Sequence, residues 1–135
     1  MVSFFGLLNN GTYNSNGIQI MAAGYQEIFL EQGTDFNTSI TLDDVYGEPF
    51  ILEGFIGKSQ MKKSYYSSTV VAEFVVTITE PATGVINLSI DSGSTANIAA
   101  GRYVYDVVIK DTNGANTVTR VLEGIVNVLP QVTIF

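Results

Sequence analysis

From Gln26 onward, apolar and polar residues alternate with a period of two in short runs broken by turn formers, the pattern of strands that bury one face. Residues 27–31 form a first run that ends at Gln32 and Gly33, and in residues 36–43 Phe36, Thr38, Ile40 and Leu42 alternate with Asn37, Ser39, Thr41 and Asp43. Residues 44–49 read as a turn. Residues 50–52 and 55–62 then read as extended segments parted by Gly54, with Gly57 marking a bulge. Residues 64–69 are a polar loop. Residues 70–79 carry Val, Phe and Ile on both faces, which predicts a central strand covered on both sides. Residues 80–84 turn the chain into a second strand over 85–90, completing a hairpin. Asp91 and Ser92 precede small residues at cap-like positions and predict one short helical turn closed by Gly101. Residues 102–110 and 116–129 are the last two strands, joined at Asp111-Thr112-Asn113-Gly114, a strong turn signal.

About seven strands at this spacing, with no amphipathic helix of ordinary length, predict an all-β fold: an Ig-like antiparallel β-sandwich, with a small β-barrel as the alternative. The first 26 residues depart from the pattern. Residues 1–8 are an apolar tip, residues 9–17 are almost all turn formers, and residues 18–23 offer a short strand or a turn of helix. We therefore divide the chain into an N-terminal arm, residues 1–26, and a sandwich domain, residues 27–135. Phe4, Phe5, Leu7 and Leu8 are a liability on a free surface, so they are the candidate subunit contacts.

Composition supports one domain with surplus apolar material. The chain has 135 residues, 46% hydrophobic and only 14% charged, against roughly 25% charged in an average soluble domain. Shortage of charge at this hydrophobicity points to surface covered by other chains. Six basic against thirteen acidic residues give a net charge of −7, which repels phosphate backbones, so nucleic acid is not an expected partner. The cluster Lys58, Lys62 and Lys63 beside Tyr65 and Tyr66 reads as a solvated strand end. No apolar window approaches the roughly 20 residues of a membrane helix, and residues 1–8 lack the basic start of a secretory signal. The expectation is a soluble chain without a membrane partner.

Chemistry is scarce. The sequence has no His, Cys or Trp, which removes imidazole bases, thiolate nucleophiles, disulfides and His- or thiolate-held metals from this chain alone. Glycoside hydrolysis needs two carboxylates held across a cleft, but Asp43, Asp44 and Glu48 cluster at a turn, where acids cap and solubilise. The turn opening at Asp111 begins like a calcium loop. Gly114 comes two positions early, however, and Leu122 stands where the twelfth-position Glu belongs. Lys58-Ser59 and Lys63-Ser64 are neighbours that point to opposite faces of a strand. The residues predict no enzyme, no cofactor and no metal.

The C-terminal third is the most distinctive. Ala100-Gly101-Arg102-Tyr103-Val104-Tyr105-Asp106 is followed by Gly114, then by Arg120, Leu122, Gly124, Val128 and Pro130 on the returning strand. Arg120 stands at a height close to that of Asp106, so the two are expected to pair across the hairpin, and Gly124 marks a bulge or a close approach by another backbone. With Glu31-Gln32-Gly33-Thr34-Asp35-Phe36 opening one strand and residues 50–55 following a turn, this arrangement resembles small β-sandwich virion proteins of tailed bacteriophages. It is most similar to the N-terminal domain of baseplate upper proteins, over about residues 27–130.

That resemblance implies a non-enzymatic structural subunit of a phage particle, in the tail or baseplate. Its implied partners are other phage structural proteins, in a homo- or hetero-oligomer, and its place is the virion after assembly in the host cytoplasm. Alternatives are a head decoration or neck protein, and a carbohydrate-binding or adhesin module that stacks sugars on Tyr13, Tyr65 and Tyr66.

Overall fold

A computed structural model describes residues 24–133 and 135 in full, and the backbone of three short N-terminal segments, Val2–Phe4, Thr12–Tyr13 and Gln19–Ile20. In chain order the strands are β1 (Val2–Phe4), β2 (Thr12–Tyr13), β3 (Gln19–Ile20), β4 (Gly24–Tyr25), β5 (Ile28–Glu31), β6 (Phe36–Leu42), β7 (Phe55–Lys62), β8 (Ala72–Thr77), β9 (Val85–Ile90), β10 (Gly101–Asp111) and β11 (Val118–Leu129). A 3-10 turn, Pro81–Thr83, joins β8 to β9. A single helical turn, α1 (Ser92–Thr95), follows β9, and the Asp91 carboxylate caps it by accepting from the Ser94 N–H at 2.8 Å. The Ser94 side chain first, and then this N–H, hold the exposed Asp91 carboxyl below the usual carboxylate range.

The fold is all-β and mostly antiparallel. Among the described residues, nine strands form one continuous sheet in the order β1-β6-β9-β8-β7-β10-β11-β4, with β5 also on the free edge of β11, while β2 and β3 pair separately. The path curls into two layers that share β8. Residues 72–74 of β8 pair with β7, and residues 75–77 pair with β9. The two layers enclose one core, to which β6 and β9 contribute Ile40, Leu42, Ile86 and Leu88, and β10 and β11 contribute Tyr105, Val107, Leu122 and Val126. Phe74 sits where the layers meet, its ring edge-on to Phe36 at 6.0 Å and to Tyr105 at 5.8 Å.

Most of the expected strands are present at their expected places, and four local expectations are corrected. Residues 70–79 are not covered on both sides: Phe74 is buried, but Val71 and Val75 face outward and Val75 is 60% exposed. The sharing of β8 between layers makes it central in the sheet order without burying its second face. Gly57 is not a bulge, because β7 pairs with β10 without interruption through Ile109–Gly57. It is a packing gap instead, since a Cβ there would collide with the Val76 side chain. Gly101 opens β10 rather than closing the helical turn. Residues 50–52 belong to no strand. Phe50 and Leu52 are buried all the same, tied in by Phe50 N–H to Leu42 O at 2.9 Å and Leu52 N–H to Pro81 O at 2.8 Å.

The apolar tip of the arm falls largely outside the described residues. Phe5, Leu7 and Leu8 lie there, and of Phe4 only the backbone is described, at the end of the parallel pairing of β1 with β6 in which Phe4 stands opposite Leu42.

Candidate interaction surface

Strand alternation sends every second residue of β7, β10 and β11 outward, and pairing aligns those residues in rungs. Lys110 stands between Ile56 and Val118, Val108 between Lys58 and Arg120, Asp106 between Gln60 and Glu123, and Val104 between Lys62 and Ile125. The result is a broad outer face that mixes aliphatic and charged groups. Five of the six basic residues of the chain, Lys58, Lys62, Arg102, Lys110 and Arg120, project from it. The sixth, Lys63, follows β7 and places its ammonium 4.5 Å from the centre of the Tyr103 ring, a favourable cation–π contact. The lysine cluster is therefore one end of a larger basic surface assembled from three strands.

The expected Asp106–Arg120 pair is not formed, and the cause is a bulge. Register shifts between Val107 and Val108: Val107 faces Leu122 while Val108 faces Arg120, so Val121 is the extra residue. Val121 and Leu122 both turn inward and are buried. Asp106 consequently stands opposite Glu123, and Arg120 reaches Glu123 at 3.2 Å within its own strand. Tyr65, from the loop after β7, lies over the same rung and donates its hydroxyl to Glu123 Oε1 at 3.2 Å. Partial burial, more than that bond to the carboxylate, raises the Tyr65 hydroxyl above its ordinary value. The Asp106 carboxyl is likewise pushed up by burial, against the pull of Arg120 and Lys62.

Gly124 is the close approach anticipated from the sequence. A Cβ there would collide with the backbone carbonyl of Gln26, the same oxygen that accepts from the Tyr105 hydroxyl at 2.7 Å. Gln26 also donates its N–H to Glu123 O at 3.0 Å, so the segment linking β4 to β5 is fastened to β11 and to the core together. Burial raises the Tyr105 hydroxyl well above its ordinary value, keeping it protonated as a donor.

At the groove between Ile56 and Val118 the outer face is most apolar. Val108 and Gly57 line it, with Lys58, Gln60, Asp106 and Lys110 along its sides, and the Lys58 ammonium lies 3.9 Å from the Glu73 carboxylate. Ile56 is 58% and Val118 61% exposed, and the residues around them leave these aliphatic groups in water. Sequence reading missed this groove. Its walls come from strands separated by about half the chain, and only the β7–β10 pairing brings them together.

The other residues singled out from the sequence do not converge on a site. Asp43, Asp44 and Glu48 remain together at their turn, but the described residues contain no group of three or more His, Cys, Asp or Glu placed to hold a metal ion. Among them, no helix is long and apolar enough to cross a membrane. Tyr66 is fully exposed and the Tyr65 hydroxyl is engaged with Glu123; the side chain of Tyr13 is outside the described residues.

No family model matches the chain, and no curated protein matches it in sequence. Solved structures resemble it to different degrees. The N-terminal domain of ORF48 from phage TP901-1 superposes with a TM-score of 0.50 at 12% identity, covering 80% of this chain and 98% of that one. A chain from a structure that addresses T cell specificity and activation by the bacterial superantigen toxic shock syndrome toxin-1 gives 0.44 at 12% identity over 76% of this chain and 92% of the other. A chain from the aggregative adherence fimbriae of enteroaggregative Escherichia coli gives 0.38 at 11% identity over 83% and 97%. The sandwich reported above is thus similar in fold to nearly the whole of a phage protein's N-terminal domain.

Proposed function

We propose that this chain is a non-enzymatic structural subunit of a bacteriophage particle, built into the tail or baseplate and held there by other phage structural proteins. The observation that carries the reading is the shared fold with the N-terminal domain of phage TP901-1 ORF48, which this chain matches over 98% of that domain's length. The turn glycines and aromatic strand residues between Gly101 and Pro130 support it independently, through their resemblance to baseplate upper proteins. The lack of His and Cys in the sequence supports a role without catalysis, because the commonest bases and nucleophiles are missing.

Mechanically, such a subunit needs a rigid block and surfaces that bury on assembly. The curled sheet supplies the block. The apolar tip of the arm, with Phe4, Phe5, Leu7 and Leu8, supplies one contact, each side chain contributing about 1.5–3 kcal/mol when fully buried against a neighbour. The experiment is proteomic and positional: tails separated from heads by gradient, then probed for this chain by mass spectrometry and by gold-labelled antibody. Recovery with tails and label at the tail supports the reading. Recovery with heads alone would replace it with a head decoration or neck role, and absence from particles would sink it.

A further inference from the structure

Charge stops short of one part of this molecule. The six basic and thirteen acidic residues all lie between Glu27 and Glu123, and residues 1–26 contain none. In the folded sheet the uncharged region continues on β6 and β9, which carry no charged residue. β6 stands second in the sheet order, with only the three residues of β1 outside it. Proteins usually guard so exposed a strand with lysine, proline or a bulge. β6 has none of these, and it pairs with β9 in unbroken register from Phe36–Ile90 to Thr41–Val85.

Backbone geometry names the groups on that edge. Leu42 donates its N–H to Gly84 O at 2.7 Å, on the β9 side. Backbone groups alternate sides along a strand in an antiparallel ladder, so Asn37, Ser39 and Thr41 turn their N–H and C=O to the outer edge. β1 runs parallel along it, Val2 opposite Ile40, Ser3 opposite Thr41 and Phe4 opposite Leu42. Residues 5–23 join β1 to β4, and within them β2 and β3 pair with each other apart from the main sheet. Even with that hairpin left out, residues 5–11 and 21–23 supply ~30 Å of reach when extended, more than twice the radius of gyration of a domain of this size, ~13 Å. The tether is long enough to set β1 on a neighbouring subunit.

We infer that β1 pairs with β6 of a second copy of this chain, so that each subunit lends its N-terminal strand to the next. Exchange of an identical element keeps every contact of the register above, Ser3 opposite Thr41 included, and so loses no pairing energy. What it adds is burial. A three-residue parallel ladder is a weak hold on the chain's own sheet, whereas between two subunits the tether carries Phe5, Leu7 and Leu8 into the junction, where each apolar group removed from water stabilises the contact. An uncharged strand on an uncharged edge also joins chains with a net charge of −7 where their repulsion is least. Donor strand and receiving edge are different patches, so the exchange closes into a ring or runs reciprocally in a pair. The inference rests on the reading of the chain as an assembly subunit and deepens it by naming the surface that receives the arm.

The chain has no cysteine, so single introduced ones report on the pairing. Cα atoms of neighbouring strands stand ~4.8 Å apart, within the span of a disulfide. Ser3→Cys and Thr41→Cys are made as separate full-length proteins, one of them isotope-labelled, then mixed and oxidised with copper phenanthroline. Pairing between copies predicts a covalent product joining one of each through positions 3 and 41, identified by mass spectrometry of the linked peptides. Ser3→Cys mixed with Asn37→Cys is the control. Position 37 lies on the same face of β6 but four residues away, ~13 Å, and should give several-fold less product. The unaltered chain supplies a second readout, independent of any variant's folding: hydrogen exchange at the Thr41 amide should slow by up to about tenfold for each tenfold rise in chain concentration, as mass action requires of a group covered by another molecule. Cover by the chain's own β1 is independent of concentration. A mixture that yields no linkage above the control, or Thr41 exchange that ignores concentration, would overturn the strand exchange. The particle reading fails separately: a chain without exchange that is recovered in tails keeps that reading, whereas a strand-exchanged chain absent from particles refutes it.

Discussion

Gly124 shows how one position couples a strand to the segment that borders it. The Gln26 carbonyl occupies the space a Cβ would need while also accepting from Tyr105, so Gly124→Ala has to push Gln26 away and break that buried bond. We predict a loss of about 1–3 kcal/mol, the usual cost of overpacking, read as a lower urea midpoint with unchanged slope. Asp106 makes the opposite kind of statement. Burial raises its carboxyl pKa in the folded state, so its ionised form costs stability above the folded pKa, and the cost vanishes below the unfolded value, where both states are protonated. Asp106→Asn should accordingly stabilise the protein at neutral pH, by an amount that shrinks as the pH falls into the ordinary carboxylate range. Urea midpoints of the two proteins across pH would show it; a gain that persisted unchanged at acid pH would contradict the sign.

Between elements, the decisive details are one insertion and one omission. Val121 inserts a residue into β11, turning two successive side chains inward and resetting every rung beyond it. The omission is the side chain of Gly57, whose place Val76 of the neighbouring β8 fills. Gly57→Ala should destabilise the protein by about 1–3 kcal/mol, and Gly57→Ala with Val76→Ala should recover part of that loss, a coupling that a double-mutant cycle measures directly. These two details also mark where sequence reading stops. The limits of β6, β7 and β9 were legible because alternation and turn residues are local signals, as was the capping role of Asp91. A bulge has no local signature when the inserted residue is as apolar as its neighbours, which is why Arg120 was matched with Asp106 instead of Glu123. The Val-rich run in β8 looked like a strand buried twice over because composition alone does not reveal that the strand divides its pairing between layers. The basic face was legible only as its fragment Lys58 and Lys62, since Arg102, Lys110 and Arg120 join it through pairing across the fold.

For the whole molecule, the unusual hydrophobicity of the chain is accounted for in three places: the core between the layers, the exposed aliphatic groups of the outer face, and the apolar tip at residues 1–8. Among the described residues the buried hydrophobic ones run from Ile28 to Val128. Deleting residues 1–17 should leave a folded domain with a cooperative melt that no longer enters particles; a truncated chain that assembled normally would remove the arm from the account. The central proposal is that this sandwich is a building block of a phage tail, and the most direct measurement is the location of the intact chain in purified phage particles, by gold-labelled antibody and mass spectrometry of separated tails and heads. The account predicts label and peptides at the tail or baseplate, in more than one copy per particle. Peptides in the head fraction alone, or in neither fraction, would contradict it.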